Sequence, residues 1–331
     1  GVHLYRNDVR ATIALMMART PSVPNFNVRV QPMSVSVRHR ARVQYDGSEY
    51  CGMQVQGASA VRISVAGALN TVLQQRLRVE VKVNAASRTD AGVHARGQSI
   101  HFDVPDTCLM PDPAELERSL NAMLPPTVRV HSIEVASERD GNGRKWHARH
   151  SATGKLYSYR LCAGGVLDPL DRTLRAQSCT VDLDAIRVAL PLLVGTLDCA
   201  AFANRRSGEP LPCQLDEKLT TRVVRAIKLQ DEGNANLRVD FHVKSALYKQ
   251  VRNMMGLLLY VGMGRIAPSE VPTILASRNR QQLPPPAPAH GLTLESVFYN
   301  AGWGGKYQHP MHTETVCEPP FGVEGCFSLF K

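Results

Sequence analysis

The stretch Ala86-Ser87-Arg88-Thr89-Asp90-Ala91-Gly92-Val93-His94-Ala95 sets a carboxylate among small residues, close behind an arginine and ahead of a glycine free to take unusual backbone angles. A carboxylate on such a loop can act as a nucleophile or a base. On residue type alone, a turn aspartate bonding its own backbone is the favoured explanation for Asp90. Other motifs carry less. His147-x-x-His150 has ligand types but no third ligand and no helical context, so no metal is predicted. Gly262-x-Gly264 follows a helical pattern instead of a strand, and there is no Walker pattern, so a nucleotide cofactor is not expected. None of the eight cysteines forms a C-x-x-C pair, and a chain of 331 residues can bury a core without disulfides, so they read as reduced thiols. In Lys155-x-Tyr157-x-Tyr159 both rings fall on one face of a strand, where core packing is the simplest account.

The elements that must hold these residues follow from periodicity. Val35, Val37, His39, Ala41, Val43 and Tyr45 alternate as a half-buried strand that stops at Asp46-Gly47. Residues 59–77 carry Val61, Val65, Leu69, Val72 and Leu73 at helical spacing, and Ile100, Phe102 and Val104 mark the next strand. Asp112 and Glu115 predict a capping box around Pro113, with Leu116, Leu120 and Leu124 as the buried stripe. A kinked strand over 128–135 precedes a polar stretch, 137–145, that reads as a linker. Beyond it, strands are predicted over 155–162 and 236–243, helices over 183–194 and 247–261, and a last strand over 292–299 after the prolines at 284–286 and 288. The expected fold is α+β, with mostly antiparallel sheets and flanking helices. Its expected domains are 35–145 and 146–300, between an N-terminal extension, 1–34, and a tail, 301–331.

Charge points to the partner. Lys and Arg outnumber Asp and Glu by ten, which favours a polyanion, nucleic acid first. The longest apolar run, Met254 to Gly264, is 11 residues, whereas a membrane-spanning helix needs about 20. Residues 1–44 hold seven arginines, one acid and an apolar patch from Ala11 to Ala18, a pattern expected of a mitochondrial targeting segment. An RNA-binding arm or an ordinary loop is the competing account.

The decapeptide around Asp90, with the Gln98–Asp103 strand after it, resembles the signature of the TruA family of tRNA pseudouridine synthases. The resemblance extends over about residues 40–300. It takes in Tyr45-Asp46-Gly47 with Gly52 and Gln54, His147-Ala148-Arg149 with Ser151-Ala152-Thr153, and Lys155-x-Tyr157-x-Tyr159. Val251-Arg252-Asn253 with Gly256, and Ala287-Pro288-Ala289 with Gly291-Leu292-x-Leu294, complete it. Departures are Met53 in place of tryptophan, Trp146 in place of phenylalanine, and Tyr248-Lys249 in place of two histidines; they bear on substrate choice.

The resemblance implies the pseudouridine synthase fold with its cleft between the two domains, and an enzyme that turns uridine in structured RNA, tRNA ahead of rRNA, into its C-glycoside. No cofactor is implied. Asp90 would be the reacting carboxylate, as nucleophile or as base at C2′, with Arg252 as its charge partner and Tyr157 over the target base, assisting proton removal at C5. Arg88 would hold the flipped nucleotide, with His94, Arg96, Arg149, Lys155 and Lys249 as further RNA contacts. A homodimer is also implied, and the terminal extensions could bring ribosome-assembly partners. The rival reading is a catalytically idle RNA-binding or mitochondrial ribosome-assembly factor that keeps the fold.

Overall fold

The structure, a computed structural model, describes residues 36–55 and 62–300. The arginine-rich extension and the tail after residue 300 lie outside the described residues. The chain separates into two compact units, 1–151 and 152–331.

The sheet of the first unit runs β4-β1-β3, from Val128–Val135, Ser36–Tyr45 and His94–Pro105, with the two-residue β2, Asn84–Ala85, also on β3. All of these pairings are antiparallel. The alternation read in β1 is observed: His39, Ala41, Val43 and Tyr45 are buried, and Arg40, Arg42 and Gln44 lie between them. The kink expected in β4 is a register shift opposite Arg40 and Arg42, with Ser132 at φ +57°.

Helix α1 spans Val65–Leu77 and starts later than the periodicity predicts, because Ser64 caps it by accepting from Gly67 N–H at 3.0 Å. Helix α2, Pro113–Met123, begins with Asp112 accepting from the Ala114 and Glu115 amides, as expected. The other half of the predicted capping box differs: Glu115 turns to Arg76 of α1 at 2.7 Å, where a full opposite charge outbids an amide. Leu116, Leu120 and Leu124 are buried with Leu69, Leu73, Ile100 and Phe102.

The polar stretch 137–145 belongs to the first unit, which ends at Ser151. The residues after it are tied back to that unit. Arg38 donates to Trp146 C=O at 2.6 Å, Ala148 N–H to His101 Nδ1 at 3.2 Å, and Ser151 Oγ to Asp140 at 2.8 Å.

In the second unit the order is β10-β5-β9-β8-β7, from Leu292–Tyr299, Ala152–Ala163, Asn236–Val243, Thr221–Gly233 and Gly195–Asp198. These pairings are antiparallel, and only the short β6, Ala176–Ser178, lies parallel to β5. Helix α3, Leu183–Ala189, passes into a 3-10 turn over Leu190–Leu193, where Pro191 has no N–H to continue the helix predicted to Val194. A one-turn α4, Glu217–Thr220, leads into β8. Helix α5, Gln250–Gly262, begins after Lys249, whose φ of +61° breaks the helix predicted from Leu247. The small α6 spans Val271–Ala276. Among the described residues no helix is long and apolar enough to cross a membrane.

Several histidines resist protonation. Burial, reinforced by the Arg38 and His147 charges, pushes His101 down to about 3; burial and the charges of His150, Arg38 and Arg149 push His147 to about 4; burial and Arg225 push His242 to about 4. An unfolded histidine takes its proton near pH 6.5. Between there and about 4 the unfolded chain binds more protons than the folded one, so stability is lost as pH falls through that window. The melting temperature is therefore expected to drop by several degrees between pH 7 and pH 5. His101→Gln, which keeps an acceptor for Ala148 N–H, should flatten the dependence; a flat wild-type profile would contradict this account.

Candidate active site

The Asp90 loop is fixed by its alternate residues. Ser87 and Thr89 are buried, whereas Arg88 is exposed and Asp90 half-buried. The Gln98 amide on β3 holds Ser87 at two points, accepting from its N–H at 3.1 Å and donating to its C=O at 2.8 Å. The same Nε2 lies 3.3 Å from Tyr45 Oη, which bonds Thr89 Oγ1 at 2.7 Å. These bonds fix the backbone on both sides of Arg88 and immediately before Asp90.

The far side of the loop is a turn, with Val93 N–H donating to Asp90 C=O at 3.2 Å and Gly92 at φ +79°, the backbone freedom its position called for. Gly52, at φ +108°, lets Met53 N–H reach Thr89 C=O at 3.1 Å; a Cβ there would lie 2.6 Å from that oxygen. Gly52 and Met53 in turn accept from the first amides of α1, Val65 and Ala66, so the helix start, this bend and the loop form one hydrogen-bonded block.

His94, expected among the RNA contacts, sits inside this block. It is 2% exposed, and its Nδ1 accepts from Gly47 N–H at 3.1 Å. The same nitrogen is 3.1 Å from the Asp46 carboxylate, so the tautomer decides which it serves: bare Nδ1 accepts from the amide, and Nδ1–H donates to the carboxylate. Its place is structural. Arg96 and Arg149 are exposed in the same unit. His147 and His150 lie with ring centroids 4.4 Å apart, and among the described residues no three metal-ligating side chains gather.

In the second unit Tyr157 and Lys155 lie on β5 at 6% and 8% exposure. Tyr159, two residues on, donates its hydroxyl to Pro288 C=O at 3.0 Å, and burial pushes its pKa far above the usual phenol range. Tyr159 is therefore a packing residue. Lys249, half-buried, holds its ammonium 5.3 Å over the Tyr248 ring.

Arg252 is clasped to the proline-rich segment. Its Nε donates to Ala287 C=O at 2.8 Å and its own C=O accepts from Ala287 N–H at 3.0 Å. Neighbouring Asn253 accepts from Arg280 at 3.0 Å and donates to Phe202 C=O at 2.6 Å and to Asn204 at 2.8 Å. Arg280 also holds the carbonyls of Leu283 at 3.0 Å and Pro284 at 2.9 Å. Segment 283–288 is thus a strap fastened to the first turn of α5, and it fixes the stem of Arg252.

Gln98 and Arg280 were not found by sequence reasoning. Each acts across a separation no periodicity reports; the one available signal was an amide at an inward-facing strand position. Gln98→Leu would strip two buried backbone groups of their partner, at about 1–3 kcal/mol each. It is expected to lower both the melting temperature and kcat while RNA affinity changes much less; an unchanged kcat would show that the loop does not need this clasp.

Comparison with known proteins agrees with these features. Residues 189–300 match the family model described as tRNA pseudouridine synthase, which gives the class: an isomerase that forms pseudouridine. The chain is 34% identical over 279 residues to a tRNA pseudouridine synthase A of Chlamydia muridarum, covering 82% of this chain and 97% of that one. It is 34% identical over 265 residues to a tRNA pseudouridine synthase A 1 of Bacillus cereus, with coverages of 80% and 99%. The chain belongs to the TruA family of pseudouridine synthases.

Proposed function

We propose that this enzyme isomerises uridine to pseudouridine in tRNA. The observation that carries the reading is the Asp90 loop, whose Ser87 and Thr89 are buried and tethered while Arg88 is exposed and Asp90 half-buried. In the reaction the C1′–N1 bond breaks, the base turns, and C1′ bonds to C5. C5 gives up a proton and N1 ends with one, so the change is redox-neutral and needs no group donor.

Asp90 supplies the carboxylate, as nucleophile at the sugar or base or as base at C2′. Tyr157 stacks on the uracil and assists removal of the C5 proton. Arg252 provides the positive charge that keeps a sheltered carboxylate ionised. Arg88 holds the nucleotide out of its stack, and Arg96, Arg149, Lys155 and Lys249 neutralise phosphates. The arginine-rich start directs the chain to mitochondria, and the working unit is a homodimer; imaging of a tagged chain and light scattering test these two points.

The test of function is to incubate the protein with tRNA and ribosomal RNA and map pseudouridine. Conversion at discrete tRNA positions is expected. Zero conversion on every RNA, with binding retained, would favour an RNA-gripping scaffold.

A further inference from the structure

Beside the Asp90 loop, and wholly within the first unit, lies a groove of about 580 Å³, within the range of about 300–1,000 Å³ common for ligand sites. Asp90 does not line it. One wall is built from α1 and the segment leading into β2, another from the turn that carries His147, Arg149 and His150, and Met53–Val55 and Arg88 complete the lining.

Both walls are fixed before any ligand arrives. Gln74 donates to Val81 C=O at 3.0 Å and Asn70 accepts from Val83 N–H at 2.8 Å, which binds the segment to the helix. Asn84 pairs with His101, whose ring is 4.4 Å from His147. His147 Nδ1 then accepts from the Arg149 N–H at 3.0 Å, setting the turn. Preorganised walls lose little entropy on binding.

The lining combines cations, rings and amides over an apolar floor of residues such as Met53, Val81 and Val83. Lys82, Arg88 and Arg149 bring three cations against one acid, Glu80. His147 and His150 bring rings, and His147 stays uncharged at neutral pH, leaving it suited to stacking instead of phosphate contact. Cations alone would suit a bare phosphate, and rings alone an apolar peptide. Cations, rings and amides together suit a nucleotide.

We propose that this groove takes a nucleotide of the substrate RNA other than the uridine that reacts, its base against the His147–His150 wall and its phosphates on Lys82 and Arg149. The proposal rests on the RNA-modifying reading above. It gives the enzyme a second grip that selects RNA by what lies next to the target.

The test measures tRNA binding by the full chain over a range of salt, together with conversion. Lys82→Glu is expected to weaken binding about three- to tenfold and to reduce the salt slope by about one, the loss of one phosphate contact. His150→Ala is expected to weaken binding severalfold with the slope unchanged, because stacking releases no counterions. Arg118→Glu, a charge reversal on the exposed side of α2, serves as control and should stay within twofold of wild type.

The groove assignment is overturned if both groove variants bind as wild type does, or if Arg118→Glu weakens binding as much as Lys82→Glu. It is also overturned if free uridine or adenosine monophosphate binds saturably while Lys82→Glu leaves RNA affinity intact, which would make the occupant a free nucleotide. A wild type that converts no uridine, with the groove variants still impaired in binding, would sink the reaction and leave the groove standing.

Discussion

Replacing Asp90 by asparagine is expected to abolish pseudouridine formation, by at least about a thousandfold in a single-turnover assay, the scale seen when a group that bonds to or deprotonates substrate is lost. Asparagine has the same shape but neither the charge nor the basicity. The loop's anchors include Ser87, Thr89 and the Val93 amide, none of which this substitution removes. Melting temperature and tRNA affinity should therefore stay near wild type, which separates lost chemistry from lost structure. Activity within tenfold of wild type would remove Asp90 from the reaction and the proposed mechanism with it.

Gly47→Ala is expected to give the largest loss of stability. A Cβ at Gly47 would stand 2.0 Å from Val93 O and 2.6 Å from Val93 C. Both are backbone atoms, so no rotamer change relieves the clash and the turn from Asp90 to Val93 must shift as a whole. Overpacking by one methyl usually costs about 1–3 kcal/mol, and contact with backbone this close belongs at or above the top of that range. At about 2–4 °C per kcal/mol for a unit the size of residues 1–151, the melting transition of that unit should fall by about 6 °C or more. The catalytic rate should fall with it even at temperatures where the variant is folded, because the displaced turn is the one that carries Asp90. A variant that melts with wild type would mean that β1 and the loop move apart freely.

How much of this was legible varies with what sets each feature. Strands β1, β3, β5, β9 and β10 were readable from their short apolar runs, although burial itself alternates only in β1; β5, β9 and β10 are buried along almost their whole length. β8 was not. It mixes half-buried and exposed positions along its length, with Arg222, Arg225, Lys228, Asp231 and Glu232 scattered through it, so no period of two emerges. β6 and β7, at three and four residues, are too short to show one. Helix starts shifted at Ser64 and Lys249 because a cap and a left-handed residue outweigh apolar spacing.

For the proposed site, residue type alone favoured a turn aspartate at Asp90, and it was the family resemblance that pointed to Asp90, Tyr157 and Arg252 together. Burial could not be read the same way. The resemblance implies an RNA contact for His94, yet its ring is buried and its contact with Gly47 lies 47 positions away. The Gln98 and Arg280 contacts are likewise set by the folded chain, where inward-facing amides and guanidinium groups find distant backbone partners.

The strap over Arg252 has a consequence for how this region can change. Arg280 and Arg252 grip carbonyl oxygens, at Leu283, Pro284 and Ala287, and nearly every amino acid presents that same atom. The letters between those grips are therefore interchangeable to first order, but their count is not. One inserted or deleted residue would offer the wrong oxygen to each guanidinium and put Arg252 out of phase with its clasp, so this stretch should accept rewriting and reject any change of length.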